Sequence, residues 1–110
     1  MPAKFDILGA KDGSLYFVMK AANGEVVLTS QMYKSKRNAK KGIASVQTNG
    51  PDADRFDRLK DKRGKHYFVL KAANNQVIGT SQKYTTPAAM EKAIKSIVRT
   101  AEKAVTRDEA

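Results

Sequence analysis

The chain has 110 residues, of which 41% are hydrophobic and 29% charged, a globular composition with enough length for its own core. It has no cysteine and one histidine, which excludes a disulfide frame and thiolate chemistry and argues against a metal site; no apolar run approaches a membrane span. With 21 Lys and Arg against 11 Asp and Glu, the formal charge is +10, an excess that attracts polyanions by counterion release whatever the fold.

In chain order, Lys4-Phe5-Asp6-Ile7-Leu8 reads as a short strand with Phe5 and Ile7 on one face. Lys11-Asp12-Gly13 is a turn. The segment from Ser14 to Ala22 is a second strand, with Phe17 and Met19 facing one way and Tyr16, Val18 and Lys20 the other. Asn23-Gly24 predicts a type I′ hairpin turn with φ > 0 at both residues. Glu25 to Ser30 is the third strand. Gln31-Met32-Tyr33 leads out of the sheet to Ser35, an N-cap for a helix over 36–48 whose apolar stripe is Ala39, Ile43 and Val46. Gly42 weakens that helix by about 1 kcal/mol relative to Ala, and close packing on the sheet would account for it. Asn49-Gly50-Pro51 ends the helix through a glycine C-cap and a following proline.

The chain then begins again. Tyr16-Phe17-Val18-Met19-Lys20-Ala21-Ala22-Asn23 returns as Tyr67-Phe68-Val69-Leu70-Lys71-Ala72-Ala73-Asn74, displaced by 51 positions, and the register holds without a gap from Phe5/Phe56 through Ile43/Ile94. The second helix has Thr86 as N-cap, Pro87 at its first position and a stripe of Met90, Ile94, Ile97, Val98 and Ala101. The tail from Glu102 to Ala110 extends the helix, forms a last strand through Ala104-Val105-Thr106, or frays.

One such unit leaves a strand edge open and half of the helix stripe uncovered. The expected architecture is therefore α+β: a tandem, pseudo-twofold repeat of a β-β-β-α(-β) unit forming one antiparallel sheet with two helices on one face. Residues 1–110 make one compact domain, with repeat one over 4–50 and repeat two over 55–103, and the protein is expected to be a monomer with an internal pseudo-dimer. Phe17, Met19, Ile43 and Val46 should share a core with Phe68, Leu70, Ile94 and Ile97. The N-terminus lacks the apolar stretch of a signal peptide, so a cytoplasmic location is expected.

Phe-Asp-x-Leu, then Tyr-Phe-Val-x-Lys-Ala-Ala-Asn, then Val-x-x-Thr-Ser-Gln-x-Tyr and a helix, resembles the YegP-like family of small bacterial proteins over nearly the whole chain. The resemblance implies a β3-α(-β) unit used as a tandem pair or as a dimer of single units, with terminal strands exchanged between halves. It implies no activity.

Two surfaces could hold nucleic acid. One is the sheet face with Tyr16, Lys20, Tyr67 and Lys71, where bases would stack and lysines would meet phosphates. The other is the start of the first helix, with Lys36, Arg37, Lys40 and Lys41; Ser35-Lys36-Arg37-Asn38-Ala39-Lys40-Lys41 looks like the opening of the last helix of double-stranded RNA-binding domains. That fold's first helix is missing here, and the second repeat has no basic cluster. The plainer account is a charged surface that keeps a structural or protein-interaction domain soluble. Thr29-Ser30-Gln31-x-Tyr33 and its copy suit caps and turns better than a ligand site. Asp6 and Asp57 read as surface charge balance rather than an acid-base pair, and His66 has Leu15 as its counterpart. No catalytic residue, cofactor or metal ligand is assigned. The function read from the chain is a non-catalytic binding or accessory module, with nucleic acid the leading partner.

Overall fold

The computed structural model describes residues 3–109. Its strands are β1 (Lys4–Gly9), β2 (Leu15–Lys20), β3 (Val26–Ser30), β4 (Phe56–Lys60), β5 (His66–Lys71), β6 (Val77–Thr80) and β7 (Val105–Asp108), with helices α1 (Lys36–Asn49) and α2 (Pro87–Thr100). One seven-stranded sheet runs in the order β4-β5-β6-β3-β2-β1-β7. The repeats join where β3 meets β6, and there Thr29 lies opposite Thr80, its own copy. Gly79 makes that junction close: a Cβ on it would stand 2.9 Å from both the Leu28 side chain and the Thr29 carbonyl.

The sheet is antiparallel through six strands. The seventh, β7, pairs in parallel with β1, setting Lys4, Phe5, Asp6 and Ile7 opposite Val105, Thr106, Arg107 and Asp108. The tail is thus neither helix extension nor frayed end. After a single 3-10 turn at Ala101–Lys103 it becomes a strand on the opposite repeat. Since α2 carries the chain back to the end of the sheet where β1 starts, the next strand runs alongside β1 in the same direction.

The hairpins correct one expectation. Gly24 has φ 86°, but Asn23 is not in the left-handed region, so the turn is not type I′. Gly24 N–H donates to Ala21 O and Ala21 N–H to Glu25 O, each at 2.9 Å. This is a three-residue loop closed by one left-handed residue, the second commonest hairpin connection. The loop recurs at Gly13, at Gly64 and at Asn75 (φ 68°), so Asn75 occupies the position that glycine takes in the other three. An aspartate or asparagine one or three residues before the left-handed residue accepts from the loop backbone in each: Asp12, Asn23, Asp61 and Asn74.

Both helices start as their sequences indicate. Ser35 Oγ accepts from Asn38 N and Thr86 Oγ1 from Ala89 N, each at 3.1 Å. The C-terminus of α1 differs. Gly50 has φ −57°, an ordinary helical value, so no left-handed cap forms. Its lack of a side chain serves packing instead, because a Cβ there would stand 2.8 Å from the Ala101 Cβ at the end of α2. Gly42 is also a close approach: a Cβ would stand 2.8 Å from Tyr33 Cζ and 2.9 Å from the Phe17 ring.

Both helices lie on one face of the sheet, and a single core draws on both repeats. Phe17, Met19, Ile43, Val46, Phe68, Leu70, Ile94 and Ile97 are all buried in it, as are Phe5, Ile7, Leu28 and Phe56. Among the described residues, no helix is long and apolar enough to cross a membrane.

Candidate nucleic-acid interface

Period-two alternation puts Phe17 and Met19 under the helices and turns Tyr16, Val18 and Lys20 to the other face, with the same division in β5. The sheet-face candidates are therefore placed as expected, but their charges are engaged. Lys20 Nζ lies 3.0 Å from Asp6 and Lys71 Nζ 2.6 Å from Asp57. Tyr67 has Lys83 Nζ 3.6 Å from its ring centroid, a cation-π contact over the face a base would need. Both tyrosines are half-buried, facing Leu8 and Leu59 across the strands.

Asp6 departs most from its expectation. It is 2% exposed, not a surface charge. Arg107 Nε and Nη2 donate to its two oxygens at 3.0 and 3.3 Å, and Lys20 reaches it from β2. These contacts, Arg107 first, hold its carboxyl below the usual aspartate range against the opposing effect of burial. The cluster is structural: a carboxylate clamped by two cations is a poor general base at neutral pH.

The helix candidates lie on the other side of the sheet, so the structure does not unite the two sets into one surface. Lys36 Nζ pairs with Asp108 of β7 at 3.0 Å. Arg37, Lys40 and Lys41 are exposed, and among the described residues none has a carboxylate within ion-pair distance. The first turn of α1 contains no acidic residue, so these cations oppose the helix dipole without local relief. In α2 the copy of Lys40 is Glu91, which binds Arg58 of β4 through both oxygens. The basic end of α1 is therefore particular to the first repeat.

Beside it, an open cleft of about 330 Å³ separates α1 from the β5-β6 hairpin, with Lys41, Asn38, Gln31 and Ser45 on one wall and Asn74 and Gln76 on the other. Tyr33 closes its floor. Its ring stacks on Phe17 (centroids 6.1 Å apart, planes at 13°), and burial pushes its hydroxyl pKa up. Ser30 Oγ accepts from Phe17 N at 2.9 Å and donates to Gln31 O, and Ser81 repeats the arrangement with Phe68 and Gln82. The Thr-Ser-Gln-x-Tyr segments thus complete the strand-to-helix turn, as their composition indicates. His66 is half-buried with its backbone bridged to Tyr84. Among the described residues no group of three or more His, Cys, Asp or Glu could hold a metal ion.

The sequence matches the family described as "Domain of unknown function (DUF1508)" twice, over residues 10–57 and 61–108. It is 49% identical over 108 residues to the UPF0339 protein ACIAD0721 of Acinetobacter baylyi, covering 98% of this chain and 97% of that one. It is 46% identical to the UPF0339 protein YegP of Escherichia coli K12, over 88% of each chain. The fold is similar to the solution NMR structure of UPF0339 protein SO3888 from Shewanella oneidensis (TM-score 0.91, 42% identity, 98% of this chain and 92% of that one). The solution NMR structure of YegP from E. coli gives a TM-score of 0.92 at 42% identity, over 99% of this chain and 94% of that one.

Proposed function

The chain belongs to the DUF1508 family, carrying its domain twice, and from that premise we propose that it is a non-catalytic binding module whose leading partner is nucleic acid, held by phosphate contacts at the start of α1. One observation carries the choice of surface. The cations of the sheet face are each tied to an acid, whereas Arg37, Lys40 and Lys41 are exposed and without an ion-pair partner among the described residues. Releasing Lys20 or Lys71 to a phosphate would first break a pair within the protein. Arg37, Lys40 and Lys41 need only exchange water. They also sit at the positive end of a helix dipole, where an anion relieves their mutual repulsion.

The test is a residue-resolved NMR titration with duplex RNA and with a single strand, at low and at physiological salt. Phosphate reading by α1 predicts shifts concentrated at Ser35–Lys41 and a preference for duplex. It also predicts that Lys40→Gln and Lys41→Gln each reduce the salt slope by about one, as expected when one fewer phosphate is neutralised. A preference for single strands, with Tyr16→Ala weakening binding by about 1–3 kcal/mol, would move the site to the sheet face. Shifts spread over every lysine-bearing surface, and gone at physiological salt, would retire nucleic acid and leave a structural or protein-interaction domain.

A further inference from the structure

We propose that the exposed edge of β4 is a docking site for an extended segment of a partner protein, which would add as an eighth, parallel strand with an arginine over Asp57 and an acidic residue next to it. The site is distinct from α1 and independent of the nucleic-acid reading.

The template is in the molecule. The pseudo-twofold maps β1 onto β4, Asp6 onto Asp57 and Lys20 onto Lys71. At the β1 end, β7 completes the edge: Glu109 N–H donates to Ile7 O, and Arg107 doubly contacts Asp6. At the other end β4 is the last strand, and the chain that would supply the equivalent strand turns through Ala53–Arg55 directly into β4 itself. Asp57 has its lysine, Lys71, but among the described residues no guanidinium reaches it. Leu59 is 40% exposed beside it.

Since the Ile7 carbonyl points to β7, the repeat directs the Arg58 carbonyl, and with it that of Phe56, to the open side. The Phe56 N–H is taken by Ala53 O, so the receptive stretch begins at the Phe56 carbonyl. Charge then sets the occupant. In the β1-β7 register a partner arginine falls opposite Asp57 and the residue after it opposite Arg58, where an acid is favoured.

A second copy of β4 fits poorly. Each antiparallel self-pairing within the strand about a twofold sets Asp57 on Asp57, Arg58 on Arg58, or Arg58 on Lys60, and like charges directly opposite are destabilising. Arg58 itself points to the helix side and is held by Glu91, an inward charge that discourages indiscriminate edge pairing while leaving the backbone reachable. Strand addition of this kind takes affinity from main-chain hydrogen bonds and specificity from alternate side chains.

The probe is a synthetic peptide of residues 104–110, Ala-Val-Thr-Arg-Asp-Glu-Ala, added to the full-length labelled protein. The expected result is saturable amide shifts over Phe56–Lys60 and slowed hydrogen exchange at Arg58 and Lys60, whose N–H groups face the open side. Binding should weaken about tenfold or more when the peptide arginine becomes glutamine or when Asp57→Asn is used, since each removes a charge-assisted hydrogen bond. Absence of saturable shifts at about 1 mM peptide overturns the proposal. So do shifts centred on Lys4–Ile7, which would mean exchange with β7, and equal binding by the arginine and glutamine peptides. Concentration-dependent association of the protein alone through Phe56–Lys60 would replace the partner strand with a second copy.

Discussion

Asp6 and Asp57 hold the same place in the two repeats, and each is paired with the same lysine of the neighbouring strand, yet one is buried and the other is not. The difference is a strand. At the β1 end, β7 brings Arg107 over Asp6 and closes the edge; at the β4 end no strand among the described residues pairs with the outer side of β4. The same position is therefore the centre of a satisfied ion cluster in one half and a half-buried surface pair in the other. Residue identity follows the surroundings. Beneath the covered edge the helix-facing residue is Ile7, fully buried, and its copy on the open edge is Arg58, bound to Glu91. A duplicated unit keeps its local geometry in both copies, while each copy's edge depends on what the rest of the chain brings to it.

The comparison is broken most completely by separating the halves. We expect that cutting at Gly50 leaves neither half folded as a cooperative monomer, because Phe17, Ile43, Phe68 and Ile94 belong to one core and β3 pairs with β6; thermal melts of each half by circular dichroism check this. Deleting residues 105–110 makes the two edges alike. It removes the backbone bonds to β1 and the Arg107 clamp, a loss of roughly 2–4 kcal/mol at about 1 kcal/mol net per hydrogen bond and more for the charged one, read from urea unfolding.

The two aspartates sharpen the contrast directly. Asp6→Asn should cost about 1.5–3 kcal/mol at neutral pH. Asp57→Asn should stay within about 0.5 kcal/mol, as for surface pairs. The pH dependence follows from the depressed carboxyl of Asp6. Its stabilisation is fully present above the unfolded value near about pH 4 and is lost as pH falls through the lower folded value. The gap between the parent protein and Asp6→Asn should therefore narrow in acid.

A second asymmetry lies over the helices. Gly42 lets Tyr33 stack on Phe17, whereas its copy is Ala93, and among the described residues no such stack joins Tyr84 to Phe68. Gly42→Ala should cost about 1–2 kcal/mol net, overpacking against Phe17 outweighing about 1 kcal/mol of helix propensity, with the Phe17 and Tyr33 ring resonances shifting. The hairpins carry the remaining contrast between the repeats. Asn75→Gly should be neutral or stabilising by less than about 1 kcal/mol, since the loop needs one left-handed residue there, and Gly24→Val should cost about 1–2 kcal/mol. A clear destabilisation by Asn75→Gly would mean that its side chain, rather than its φ, secures the second hairpin.

The repeat, the sheet-helix layering and the YegP-like resemblance are all legible in the residues, as are the eight core positions and both N-caps. Each rests on signals spanning a few residues: a period of two or 3.6, a capping oxygen three residues from its amide, a left-handed glycine. The type I′ expectation fails within that same range, because Asn-Gly suits either of two loops and the strand register chooses between them. The basic start of α1 is plain in the sequence, but that Arg37, Lys40 and Lys41 have no ion-pair partner among the described residues, while Lys36, Lys20 and Lys71 do, could be seen only in three dimensions.

Taken alone, the sequence determined what each repeat is: three strands, a helix and the faces they bury, written twice at a spacing of 51. Tertiary structure decided how the repeats end. The placement of β7 on β1, the burial of Asp6 and the open edge of β4 rest on contacts such as Arg107 to Asp6, 101 residues apart, between groups with no common periodicity. Local chemistry restricts φ, ψ and facing within a turn or a strand. Which of two near-identical edges a last strand joins depends on where the preceding helix delivers the chain, and that is set by the packed core.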